Sequence, residues 1–101
     1  MKRLSPAAIP AALAKAERYR LLNEPEQAES ICEDVLATDP SNREAQVTLV
    51  LALSDQLGDG SHDRGQVLSR AQALAGALAS PYERAYCLGL LAERRARAVL
   101  A

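Results

Sequence analysis

Apolar residues are densest in the middle of the chain. Val47, Leu49, Val50, Leu51 and Leu53 fall within two helical turns and cover more than one face. A helix apolar on several faces is one that neighbours enclose, so this segment is expected at the centre of the fold. On either side of it, start and stop signals divide the chain into five helices. Ser5-Pro6 sets a capping hydroxyl before a proline at the first helical position and opens a helix to about Leu22, although Pro10 can shift its start toward Ile9. Asn23 and Glu26 have the spacing of a capping box, and the helix they open runs to about Thr38, where Asp39-Pro40 stops it. Ser41 and Glu44 repeat the device for the central helix, which ends near Leu57.

Gly58-Asp59-Gly60-Ser61-His62 reads as an irregular loop. Asp63 with Gln66 then opens a fourth helix to about Ala79, and Ser80-Pro81-Tyr82-Glu83 opens a fifth. The fifth meets no stop signal, which suggests an array continuing further.

Composition narrows the class. Hydrophobic residues are 49% of the 101, yet Phe and Trp are absent and only three Tyr occur. A core rich in Ala and Leu suits close helix–helix contact. The charge is segmental. Lys2, Arg3, Lys15, Arg18 and Arg20 stand against Glu17 in residues 1–20. Ten carboxylates then face Arg43 alone in 21–63, and six arginines face Glu83 and Glu93 in 64–101. With a net charge of -1, this pattern favours matching between segments or with a partner over general nucleic-acid binding.

Candidate chemistry is sparse. Cys32 and Cys87 lie in apolar helical patterns and read as reduced thiols packed as small hydrophobes. His62 has no oriented partner evident from spacing, so no catalytic triad or Cys–His pair can be assembled and no enzymatic activity is expected. Glu29 and Glu33 share a helix face but read as a solvated acidic pair. Asp59, Ser61 and Asp63 alternate as calcium loops do, without the downstream Glu. No metal and no cofactor is expected. Arg94-Arg95-Ala96-Arg97 is a candidate for phosphate contact, but without aromatic interleaving it reads as a solvated face near a helix end. The start, Met1-Lys2-Arg3 and the apolar stretch through Leu13, faintly resembles a signal peptide; Pro6 and Pro10 interrupt it, so a cytoplasmic protein is expected. No apolar run reaches bilayer-spanning length.

The stretch Ala12 to Pro40 resembles one tetratricopeptide (TPR) repeat. Ala12, Ala16 and Tyr19 fall at the first helix's packing positions, Ala28 at the small crossing position of the second, Cys32 and Val35 behind it, and Pro40 at the closing proline. Ala16 and Asn23 stand where glycine is usual, and Ala12 replaces a bulky aromatic. Leu49, Val50 and Leu53, then Ala71 and Pro81, form a weaker second repeat with a longer loop. Tyr86, Leu88 and Gly89 resemble the opening of a third, with Tyr86 in the aromatic position. About two and a half repeats result, over about 9–42, 43–82 and 83–101 of one domain.

The resemblance implies an all-α fold of five helices, antiparallel pairs stacked as a short right-handed solenoid. It also implies a concave groove on the first helix of each repeat. Carried over by position, that groove takes Leu13, Glu17, Arg20 and Leu21 from the first repeat and Glu44, Val47, Leu51, Ser54 and Asp55 from the second. The third supplies Arg84, Cys87, Leu91, Arg94 and Arg95. The subfamily that clamps chaperone C-termini has Lys and Asn where this chain has Leu13 and Glu17, so that activity is not carried over. What is implied is a protein-binding scaffold receiving a peptide or amphipathic partner helix. The other reading is a structural domain that pairs with its own copies as a homo-oligomer.

Overall fold

The computed structural model describes residues 4–57 and 64–100. A 3-10 turn, Pro6–Ala8, leads into α1 (Ile9–Leu21), followed by α2 (Pro25–Thr38), α3 (Arg43–Asp55), α4 (Arg64–Gly76) and α5 (Pro81–Leu100). Among the described residues there is no strand. Pro10 confines the α-helix to a start at Ile9, where its missing N–H falls in the first turn. Thr38 holds the leading segment in place: the Leu4 N–H donates to Thr38 Oγ1 at 3.0 Å, and that hydroxyl donates to the Leu4 carbonyl at 3.1 Å.

Three of the expected caps are corrected. The Ser5 hydroxyl makes no capping hydrogen bond; only the Ser5 carbonyl accepts, from the Ala8 N–H at 2.9 Å. Asn23 does not cap α2; it ends α1 in the left-handed region, φ 61°. The Glu24 N–H donates to the Tyr19 carbonyl at 2.9 Å and the Asn23 N–H to the Arg20 carbonyl at 3.0 Å, which is the double closure of a Schellman motif. Asn is among the few side chains that tolerate this conformation, which explains its presence where the repeat pattern has glycine. Nor does Ser41 cap α3. Asn42 does, its Oδ1 accepting from the Ala45 N–H at 2.9 Å, while Asp39 takes Ser41 Oγ and Asn42 Nδ2. At α5 the Ser80 hydroxyl accepts from the Glu83 N–H at 3.3 Å, with Pro81 at the first position as expected. The 58–62 loop and the Asp63 cap lie outside the described residues.

The chain doubles back at each short turn. Ile9 and Leu13, early in α1, cluster with Val35, late in α2, and with Ala45 of α3. Ala16 clusters with Ala28 and Cys32. Ala16 and Ala28 are fully buried, as small residues must be where two helices cross closely. The central helix is enclosed as its composition demands: Leu49, Val50, Ala52 and Leu53 all lie within the core. Burying each of the larger ones contributes about 1.5–3 kcal/mol. Both thiols are free and buried. Burial, reinforced by Glu33, pushes the Cys32 thiol up to about 12.

Charge bridges fix the remaining relations. Arg43 at the start of α3 meets Glu83 at the start of α5, and Asp55 at the end of α3 meets both Arg20 of α1 and Arg94 of α5. Helices α1, α3 and α5 therefore run parallel, side by side. On the other layer Arg70 of α4 reaches Glu29 and Glu33 of α2, Nη1 to Oε2 2.6 Å and Nη2 to Oε2 2.5 Å. The acidic pair read as solvated is thus a clasp. Burial pulls the Arg70 pKa down, but its hydrogen bonds to Glu33 and Glu29 outweigh that and raise it.

Candidate interaction surface

One strip of α3 lies between α1 and α5. Glu44, Val47, Leu51 and Asp55 recur every three or four residues and so share a helix face. Val47 and Leu51 are half-buried, and Glu44 is exposed. At the far end of the strip a chain of charges joins the three parallel helices. Arg20 Nε donates to Asp55 Oδ2 at 2.9 Å and Nη2 to Oδ1 at 3.4 Å, in forked contact. Glu17 Oε1 stands 3.7 Å from Arg20 Nη1, and Arg94 Nη2 stands 3.8 Å from Asp55 Oδ1. Arg94 Nε is buried without a hydrogen-bond partner.

At the near end Arg43, Glu44, Val47, Thr48 and Glu83 line an open cleft of about 400 Å³. Arg43 Nε donates to Glu83 Oε1 at 2.7 Å, and this bond, with the carboxylate's charge, raises the Arg43 pKa. A second recess, about 280 Å³, is lined by Asn23 and Glu24 of the α1–α2 turn, the first three residues of α2, and Asp55.

The sequence-derived groove is met by this surface unevenly. Glu17, Arg20, Glu44, Val47, Leu51, Asp55 and Arg94 are brought together on the α1, α3 and α5 side. Leu21 is 80% exposed at the end of α1. Four residues assigned to the groove are enclosed instead. Leu13 packs against Ile9, Val35 and Ala45; Cys87 and Leu91 lie in the main core. Ser54 is fully buried, its hydroxyl donating to the Leu51 carbonyl at 2.7 Å. Arg84 turns back to the connection between α4 and α5, donating to the Leu78 carbonyl at 2.7 Å, and Arg95 is exposed.

Leu13 is enclosed by α2 and α3, and Ser54 turns back onto its own helix. For Cys87 and Leu91 the physical reason is rotation of α5. It buries the face carrying Cys87 and Leu91, so Tyr86 and Gly89, expected to pack within a repeat, are exposed. Sequence reasoning missed Arg43, Thr48 and Glu83. The only available signal was the opposite charge of Arg43 and Glu83 in the first turns of two helices predicted to be equivalent.

Among the described residues no three His, Cys, Asp or Glu side chains converge as metal ligands, and no helix is long and apolar enough to cross a membrane. His62, Asp59, Ser61 and Asp63 lie outside the described residues. In the arginine-rich turn Arg94 is held toward Asp55, and Arg97 Nη2 donates to Glu93 Oε1 at 2.5 Å. Comparison with protein-family models, with curated proteins and with solved structures finds no match for this chain.

Proposed function

We propose that the chain is a non-catalytic, TPR-like interaction module of the cytoplasm, a short right-handed solenoid that receives an amphipathic peptide or partner helix along the α3 strip. The observation that carries this reading is the strip itself. Val47 and Leu51 remain partly open between two parallel helices, with the Arg20–Asp55–Arg94 charges at one end and the Arg43–Glu83 pair at the other. Half-open apolar side chains bounded by fixed charges favour a ligand with one apolar face and polar ends. Apolar contact supplies most of the affinity, and the charges set direction.

Peptides selected against the native chain from a displayed random library test this, titrated by calorimetry at two salt concentrations. Leu51→Ala, checked for folding by circular dichroism, should weaken binding by about 2 kcal/mol, the scale of a large apolar side chain. Arg94→Glu should weaken it less, and that loss should shrink as salt rises. Wild-type affinity in folded Leu51→Ala would sink the groove reading. Binding that is lost in Arg94→Glu and steeply salt-dependent would move the site to the arginines of α5 and to a phosphate ligand.

A further inference from the structure

The ion pairs between α3 and α5 locate a second wall for the α3 strip. Glu83 and Arg94 of α5 approach Arg43 and Asp55 of α3, so the face of α5 that carries them is turned toward α3. Leu90 lies on that face, two turns after Glu83 and one turn before Arg94, and it is half-buried. It stands level with Leu51, which lies one turn before Asp55. Val47, Leu51 and Leu90 make an apolar track along the α3–α5 cleft.

The charges left over at the two ends of this cleft are opposite. At the far end the Asp55 carboxylate is taken by the fork of Arg20, and Glu17 also stands beside Arg20, on the α1 side. Arg94 is the cation on the α5 side. Its 3.8 Å approach to Asp55 is beyond hydrogen-bond reach, and its guanidinium makes no hydrogen bond among the described residues, with Nε buried. At the near end Arg43 and Glu83 satisfy each other, and the exposed Glu44 carboxylate has no partner among the described residues. The cleft thus presents a cation short of acceptors and an anion short of donors. From Glu44 to the level of Asp55 is about 16 Å along α3, at roughly 1.5 Å per residue.

We infer that the α3–α5 cleft receives one amphipathic partner helix, antiparallel to α3 and α5, with a carboxylate of its first turn at Arg94 and a cation of its last turn at Glu44. This deepens the reading of the strip as a docking surface and rests on it. Acid first and base last is the order that stabilises a helix in its own right, through its macrodipole. The antiparallel direction follows, since Arg94 stands at the end of α3 and Glu44 at its start. About three turns of helix cover the distance, and apolar residues every three or four positions between the charges meet Val47, Leu51 and Leu90. An extended segment covers the same distance in about five residues, so the spacing of the two charges distinguishes it from a helix.

Peptides selected on the full chain from a displayed random library supply the probe. The enriched sequences should carry an acidic residue, apolar residues at helical spacing, and a basic residue about eleven positions after the acid. Double-mutant cycles then assign each charge to its place. Neutralising the peptide's acid should weaken binding about threefold, the scale of an exposed ion pair, to the native chain and to Glu44→Gln, but not to Arg94→Gln. Neutralising its base should weaken binding to the native chain and to Arg94→Gln, but not to Glu44→Gln. Neither variant removes a hydrogen bond of the fold, and circular dichroism checks both. Absence of either coupling, or an acid-to-base spacing of about five, overturns the inference; the docking surface still stands if Leu51→Ala weakens binding. If no peptide is enriched, both readings fall.

Discussion

The α1–α2 pair and α5 both present small residues to their surroundings, with opposite results. In α1–α2, Ala16 and Ala28 are fully buried in a crossing backed by Cys32. On α5, Gly89 and Ala92 are as small and lie bare. A small side chain permits close approach without supplying attraction. The approach happens where larger apolar residues surround the small one: Leu49 and Leu53 around the first pair, and for α5 only on the side of Cys87 and Leu91. Small residues mark where a helix could be met; their neighbours determine whether the chain itself meets it.

The contrast is sharpest when the two small positions are enlarged. Ala28→Leu should overpack the α1–α2 crossing and cost about 1–3 kcal/mol, read as a lower midpoint in chemical denaturation. An unchanged midpoint would remove the close crossing and, with it, half of the comparison. The next effect belongs to the turn that brings α2 back onto α1. Asn23→Ala forces a side chain without a local hydrogen-bonding group into the left-handed region and should cost roughly 1–2 kcal/mol, whereas Asn23→Gly should be neutral or slightly stabilising. Equal stability of the Ala and Gly variants would mean that this turn is not held at positive φ in solution. The smallest effect has the opposite sign. Gly89→Ala, whose added Cβ meets nothing within 4 Å, should stabilise the chain by roughly 0.5–1 kcal/mol, the ordinary gain of alanine over glycine inside a helix. Destabilisation there would show that Gly89 is enclosed after all.

The elements were legible in the sequence, and their orientations only in part. Five helices were signalled by apolar spacing and by punctuation at Pro6, Pro25, Pro40 and Pro81, and the enclosure of α3 followed from its composition. Cap errors arose where adjacent residues compete for one role. Ser41 and Asn42 can each cap α3, and Asn23 serves equally as a start signal or as the left-handed stop it is. The larger miss was on α5. That helix is apolar on two sides, so periodicity alone could not decide whether Cys87 and Leu91 or Tyr86 and Gly89 faced inward. The candidate surface inherited this ambiguity: most of its α1 and α3 members lie on one side of the fold, and its α5 members are partly buried. Long-range pairs such as Arg43–Glu83 were beyond reach until the helices had been set side by side.

The hydroxyl of Thr38 also acts on the time scale of opening. By both accepting from and donating to Leu4, it ties that residue against the cluster of Ile9, Leu13 and Val35 with two bonds from one side chain. Segments outside regular helix ordinarily open almost freely, and their amide hydrogens are replaced by solvent without delay. Here the Leu4 amide hydrogen is engaged, so its replacement must wait for the strap to lift from Thr38. The exchange rate at that one amide therefore reports how often the outermost cluster is exposed to water.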